Sequence, residues 1–166
     1  MLSVPASSWD TTHLNSRSYA DCVDAMLRLS DNPCAEMIGD KVGWSKSEKY
    51  LRSTGYIQTT FMDRGMASGT AAETSQLLQY LYEGQGYDQT ARDLVLKSMS
   101  TPKKKEAIRL ACPDCAVYNK TGDLGAVHND AAIVEKNGKT YVVVILSNRS
   151  NWQEMAELSA VIMAHL

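Results

Sequence analysis

The chain has no long apolar run, no leader pattern and no strong excess of charge of either sign. No stretch approaches the roughly 18 consecutive apolar residues that a membrane-spanning helix needs, so these residues predict no membrane span. The N-terminus does not show the basic and then apolar order of a signal peptide. The formal net charge is -2, and the basic residues cluster only in the run Lys103-Lys104-Lys105. This balance argues against a nucleic-acid partner, because it offers no general attraction to phosphates.

The composition is that of one folded domain. Hydrophobic residues make up 44% of the 166 residues and charged residues 22%, which is enough apolar material for a core. No repeat, low-complexity segment or linker divides the chain. We therefore expect a single domain over residues 1–166, mainly helical in 1–111 and built of an antiparallel sheet plus a terminal helix in 112–166.

An even number of cysteines allows a disulfide framework in a small domain. The four are Cys22, Cys34, Cys112 and Cys115. We expect structural roles for them, as disulfides or as free buried thiols. The spacing of Cys112 and Cys115 is also that of a redox C-x-x-C or half of a zinc site, but no second C-x-x-C occurs and the three histidines are scattered. No metal and no cofactor is predicted.

Helical spacing of apolar residues dominates the first two-thirds of the chain. The predicted helices cover residues 19–29, 33–43, 45–52, 71–82, 88–98 and 103–110. Pro33 suits the first turn of the second of these helices. Thr70 and Glu73 match a capping box at the start of the helix 71–82.

After Cys115 the apolar period becomes that of strands. Strands are predicted at residues 116–119, leading into Lys120, and at 131–136 and 139–146, with Asn137-Gly138 as a type I′ hairpin between the last two. A closing helix is predicted at 151–166. The fold class is therefore α+β: a helical subdomain, then a three-stranded antiparallel meander, then a C-terminal helix.

Ser30-Asp31-Asn32 lies on a predicted short connection between two helices. Acyl transfer needs a proton for the leaving nitrogen and a group that holds the acyl side chain. Ser30 is the candidate catalytic hydroxyl that shuttles the proton, Asn32 is the candidate substrate-binding amide, and Asp31 is expected to brace the loop. The plain alternative is an N-cap turn before Pro33.

Lys120-Thr121-Gly122 lies at the end of the first predicted strand, 90 positions after Ser30. Lys120 offers positive charge, Thr121 offers a hydroxyl for a carboxylate, and Gly122 lacks the side chain that would block close approach of a ligand. The backbone amide of Asp123 is a candidate donor to an oxyanion. The plain alternative is a strand end before a turn.

S-D-N and K-T-G are two of the three motifs of penicillin-recognising serine enzymes. The matching stretches are Met26–Lys41 (MLRLSDNPCAEMIGDK), Thr70–Leu81 (TAAETSQLLQYL) and Tyr118–Asn148 (YNKTGDLGAVHNDAAIVEKNGKTYVVVILSN). In these motifs and their order the chain resembles the class A β-lactamase-related and D-alanyl-D-alanine-peptidase-like family. The resemblance implies a site between helices and sheet, a β-lactam or D-alanyl peptide as ligand, and an extracellular or cell-envelope location.

The chain departs from that family in its nucleophile. The family's S-x-x-K precedes S-D-N, and residues 1–29 contain no such spacing. Ser100 and Lys103 have the spacing but follow S-D-N with Pro102 between them, so we interpret them as a chance match. The family also begins with a helix and two strands that are missing here. We therefore expect the carboxyl-terminal portion of a longer protein, inactive alone.

A second departure concerns hydrolysis of the acyl-enzyme. Class A β-lactamases use a Glu on the loop before the helix that is predicted here at 71–82. Residues 56–69 contain no Glu, and their only acid is Asp63, a candidate substitute base. The parent protein is therefore expected to be a slowly deacylating penicillin-binding or peptidase-like protein.

Two other functions stay open. A non-catalytic module of this fold could bind cell-wall peptide or a protein partner, and an unpaired edge at strand 139–146 would favour self-association. A thiol-redox protein built on Cys112 and Cys115 is the third hypothesis.

Overall fold

The computed structural model describes residues 2–3, 16–62, 66–86 and 88–166. Its helices are α1 (Tyr19–Asp24), α2 (Asn32–Val42), α3 (Trp44–Ser53), α4 (Ala71–Glu83), α5 (Gln89–Ser100), α6 (Ile108–Ala111) and α7 (Trp152–Ala164). Its strands are β1 (Leu2–Ser3), β2 (Ser16–Arg17), β3 (Thr60–Met62), β4 (Met66–Ser68), β5 (Ala116–Leu124), β6 (Val127–Lys136) and β7 (Lys139–Leu146). A π-helical turn, Ala25–Leu29, continues α1. No helix of the described residues is long and apolar enough to cross a membrane.

The main sheet is an antiparallel meander in the order β5-β6-β7. Asn137 and Gly138 join β6 to β7 with φ of 52° and 72°, the two positive values that a type I′ turn requires. The predicted α+β class, with helices before the meander and a helix after it, is confirmed. β5 runs through the K-T-G residues, and β6 begins four residues before the predicted start at Ala131.

Each face of the sheet is covered by helices, because successive strand residues point to opposite sides. On one face, Ala132 and Val134 pack with Ile108 of α6 and Met155 of α7. On the other face, Ile133 packs with residues of α4 and α5. The sheet is therefore the centre of the fold and fixes the position of the K-T-G residues.

The helices around S-D-N share a much smaller core. Cys22, Ala25 and Cys34 form its buried part, where α1 packs on α2. Ser18 and Asp21 form a reciprocal capping box at the start of α1. Helix α3 has no buried residue.

The prediction of a helix at residues 103–110 was wrong for the lysine run. Only Ile108–Ala111 is helical, and Ala107 before it has a positive φ of 43°. The amide of Lys103 donates to the carbonyl of Arg28 at 2.9 Å, a contact between distant segments instead of a first helical turn. Tertiary contact thus overrides the local helical pattern.

The prediction of a capping box at the start of α4 is confirmed for Thr70 but was wrong for Glu73. The Thr70 hydroxyl accepts from the Glu73 amide at 3.2 Å. The Glu73 carboxylate does not return to the cap. It accepts instead from the Gln58 amide at 2.8 Å and the Thr59 hydroxyl at 2.6 Å. Glu73 therefore fastens the preceding loop to α4. That loop contains the hairpin β3-β4, and Asp63 lies outside the described residues.

Candidate active site

The S-D-N loop is held by Asp31. One oxygen of its carboxylate accepts from the Cys34 amide at 2.9 Å and so caps α2. The other lies 3.4 Å from the Arg17 guanidinium. Ser30 just before it has φ 57°, a left-handed conformation that costs a residue with a side chain about 1 kcal/mol or more. These contacts leave Ser30 exposed on the loop between the π-helical turn and α2.

The two motifs meet at the Lys120 ammonium. Lys120 Nζ donates to Ser30 Oγ at 2.6 Å across 90 positions of sequence, and also to the carbonyl of Thr121. Because the ammonium is the donor, the Ser30 hydroxyl keeps its own proton to donate elsewhere. The geometry is that of a Ser-Lys pair at the boundary between helices and sheet.

The charge of Lys120 depends on opposing effects. Burial lowers the pKa of Lys120, the Asp130 carboxylate raises it, and the neighbouring ammonium of Lys104 lowers it further. No carboxylate of the described part of the chain lies within ion-pair distance of Lys120. The ammonium is therefore less stable here than on an exposed strand.

Three other predicted substrate-binding residues border this pair. Thr121 is mostly buried next to Lys120, and Asn32 is exposed at the first residue of α2. A Cβ added at Gly122 would meet the chain only at ordinary contact distance, 3.6 Å from Asn129 Cβ. The protein itself therefore does not require glycine at this position.

The Asp123 side chain contacts residues outside the two motifs. Its carboxylate lies 3.2 Å from Lys104 Nζ and 3.8 Å from His128 Nε2. The hydrogen bond from Lys104 lowers the pKa of Asp123, against an opposing effect of burial. The lysine run thus reaches the end of the K-T-G strand.

Two cavities lie near the sheet. One, of about 280 Å³, is lined by residues 27–30, 102–104 and 121 and so borders both motifs. The larger, of about 530 Å³, lies between the loop before α4, α4 itself and the ends of β6 and β7, and has Glu73 on its wall. Since none of the S-D-N or K-T-G residues lines it, we place the candidate chemistry at the smaller cavity.

The four cysteines fall into two kinds. Cys112 and Cys115 are joined by a disulfide, whereas Cys22 and Cys34 are free thiols and fully buried. Burial raises the pKa of Cys34 to about 12, and interaction with Cys22 adds to the effect against an opposing hydrogen bond from Arg17. A thiol protonated at neutral pH is a poor nucleophile, so Cys34 serves as packing beneath S-D-N.

A buried polar group beneath K-T-G escaped the sequence analysis. Asp130 and Asn119 are both fully buried, and Asn119 Nδ2 donates to Asp130 Oδ1 at 3.0 Å. Arg109 Nε donates to Asn119 Oδ1 at 3.0 Å. A signal was present, because an Asn-Asp pair directly precedes the apolar run of β6.

The structure of the chain is similar to solved structures of PBP-A and of β-lactamases. It matches PBP-A with a TM-score of 0.86 and 19% identity, over 93% of this chain and 63% of that one. It matches an ancestral class A β-lactamase with a TM-score of 0.84 and 21% identity, over 96% of this chain and 70% of that one. A β-lactamase from Chitinophaga pinensis DSM 2588 gives 0.76 and 21%, over 88% and 64%. At these identities the likeness shows the fold.

The chain spans only about two thirds of the length of these structural relatives. A search of curated proteins gave no significant match. The sequence model of the beta-lactamase enzyme family, in contrast, matches residues 7–166. With nearly the whole chain aligned to that model and the fold shared, the protein belongs to the beta-lactamase enzyme family.

Proposed function

We propose that this chain forms the substrate-binding walls of a penicillin-recognising serine acyltransferase or hydrolase that acts on β-lactams or D-alanyl peptides. The observation that carries the proposal is the 2.6 Å contact between Lys120 Nζ and Ser30 Oγ. It brings together two motifs that are far apart in sequence, beside a cavity that borders both.

In this proposal the Ser30 hydroxyl shuttles a proton: it gives its own proton to the leaving nitrogen, and the Lys120 ammonium, which already donates to Ser30 Oγ, replaces it. The Lys120 ammonium and the Thr121 hydroxyl attract the ligand carboxylate. Asn32, exposed at the start of α2, holds the acyl side chain. Gly122 leaves room for the ligand to lie along β5, which fits the absence of any internal contact that demands glycine there.

The Asp123 amide is assigned to the oxyanion. The Asp123 carboxylate is already engaged by Lys104, so only the backbone of this residue is offered to the ligand. The cell envelope or the extracellular space is the proposed location, where such ligands occur.

The chain alone is proposed not to turn over substrate, because no S-x-x-K precedes S-D-N in its 166 residues. Benzylpenicillin is the natural probe, since a PBP-A variant of the same fold was solved as an acyl-enzyme complex with penicillin G. We expect weak saturable binding by calorimetry and no covalent adduct by intact mass. A penicillin adduct mapped to any serine of the chain would overturn the claim of inactivity.

A pair of lysine variants tests the binding role. Lys120→Gln should abolish penicillin binding, because it removes both the ligand's counter-charge and the donor to Ser30. Lys139→Gln removes the same charge from an exposed position at the other end of the sheet and should bind like the parent chain. Equal affinity of the two variants, or no binding by the parent chain, would refute the proposed site.

A second candidate function is a non-catalytic module that pairs with another chain. Among the described residues β7 pairs with β6 alone, so its other side is an open apolar edge. We expect association at high micromolar concentration in sedimentation velocity. Leu146→Lys, at the end of β7 (42% exposed), should weaken it, whereas Leu158→Lys on α7 (48% exposed) should not. A clean monomer would contradict this candidate.

A further inference from the structure

Asp130 is a buried carboxylate that has no role in the proposed function. Its two oxygens accept from different elements: Oδ2 from the Ile108 amide of α6 at 3.1 Å, and Oδ1 from Asn119 Nδ2 of β5 at 3.0 Å. Arg109 extends the network, because its guanidinium donates to Asn119 and to the carbonyls of Met99 and Val117. A fully buried charge that is held this way stabilises one arrangement of the three segments.

The hydrogen-bond network of Asp130, Asn119 and Arg109 lies next to Lys120 in the sheet. Asn119 directly precedes it, and Asp130 is the cross-strand partner of Thr121, which directly follows it. Asn119 and Asp130 lie on the face of the sheet that packs on α6, whereas the Lys120 side chain leaves from the opposite face toward Ser30. Asp130 therefore lies behind the strand that presents Lys120 and does not contact the ammonium.

The network also places a negative charge, the Asp130 carboxylate, near the Lys120 ammonium. Lys120 is largely removed from water and has no carboxylate in ion-pair contact among the described residues. Lys104 on the other side repels it. Two cationic side chains interact electrostatically with the Asp130 carboxylate, the Arg109 guanidinium of α6 and the Lys120 ammonium of β5. A guanidinium stays protonated in proteins, so Lys120 is the one of the two whose protonation Asp130 can change.

We propose that Asp130 is a positioning residue that keeps Lys120 protonated and aimed at Ser30 by placing a buried negative charge behind the K-T-G strand. The proposal deepens the proposed function, since that function gives the Lys120 ammonium its use. Without the Asp130 carboxylate, burial and the Lys104 ammonium act on Lys120 unopposed, so the Lys120 ammonium loses its proton more easily. The Asp130 carboxylate thereby favours the state in which Lys120 donates to Ser30 Oγ.

The experiment follows Lys120 directly by NMR of the full chain labelled with ¹³C at lysine Cε. The Lys120 signal is assigned by its loss in Lys120→Gln. Asp130→Asn should lower the titration midpoint of Lys120 relative to the parent chain. Asp114→Asn, which removes an exposed charge from the turn before β5, should leave it unchanged. Asn119→Ala, which breaks the same network but keeps the carboxylate, separates charge from packing and should lower it less than Asp130→Asn does.

The parent chain gives a second readout if Asp130→Asn does not fold. Burial raises the pKa of Asp130 to about 6, against opposing hydrogen bonds from Asn119 and the Ile108 amide. The Lys120 Cε signal should therefore show a small inflection near that pH, below its own titration. An unchanged midpoint in Asp130→Asn, an equal shift in Asn119→Ala, or no inflection in the parent chain would overturn the proposal. No ligand is used, so failure of penicillin binding is a separate result.

Discussion

The candidate site has two sides, the K-T-G wall (residues 120–122 of β5) and the S-D-N wall (residues 30–32). They are stabilised in different ways. The K-T-G wall is part of β5, whose neighbours Ala132, Ile133 and Val134 are fully buried beneath helices on both faces of the sheet. The S-D-N wall rests on a core of three small residues and depends on hydrogen bonds made by Asp31. The comparison indicates that one wall is held by apolar packing and the other by polar contacts at a helix start.

The largest loss of stability should come from truncating a side chain in the core behind the K-T-G wall. Ile133→Ala removes a fully buried side chain between β6 and helices α4 and α5, and should lower the free energy of unfolding by about 4 kcal/mol. Ile57→Ala, at a mostly exposed position, should change it by no more than about 0.5 kcal/mol. Urea unfolding followed by circular dichroism measures both. Similar losses would contradict the packing account.

The next largest effect is a pH dependence of stability, which the buried carboxylate of Asp130 causes and the apolar core does not. Asp130 has a folded pKa of about 6 against an ordinary value of 3.8, mainly because of burial. Between these values the folded chain binds more protons than the unfolded chain, so stability falls as pH rises. Relative to Asp130→Asn, the parent chain should lose about 2 kcal/mol between pH 4 and pH 7. A pH-independent difference between the two would show that the carboxylate is not destabilised by burial.

The S-D-N wall should respond to loss of its cap. Asp31→Ala removes the acceptor for the Cys34 amide and the partner of Arg17, and should cost about 1.5 kcal/mol. Asp31→Asn keeps a good N-cap but loses the charge, so its loss should be smaller. Thermal unfolding ranks the three proteins. If Asn is as damaging as Ala, the ion pair and not the cap holds the loop.

The sequence was informative wherever local rules decide the structure. Asn137-Gly138 specified its turn because few residues adopt positive φ twice in a row. The S-D-N connection was predicted because the helical period stops at Ser30 and Pro33 suits a new helix. The three strands were recognised because the apolar spacing changes from helical to strand-like after Cys115.

Predictions from the sequence were wrong or missing where contacts between distant segments determine the structure. The lysine run looked like a helix start, yet the amide of Lys103 bonds to Arg28, 75 positions earlier. Glu73 looked like a cap residue, yet its carboxylate serves residues 58 and 59. Asp130 was not singled out, because buried carboxylates are rare without partners and its partners, Asn119 and the Ile108 amide, come from other elements.

The smallest effect tests the strain at Ser30 itself. Its φ of 57° is unfavourable for any residue with a Cβ, and its hydroxyl accepts from Lys120. Ser30→Ala keeps the strain and loses the hydrogen bond, so it should cost about 1 kcal/mol. Ser30→Gly loses the same bond but relieves the strain, so the two effects offset and stability should stay within about 0.5 kcal/mol of the parent chain. Unfolding free energies of the two variants measure the strain by their difference. If glycine and alanine are equally destabilising, the left-handed conformation costs nothing, and the exposed position of Ser30 is imposed by Asp31 and Lys120 alone.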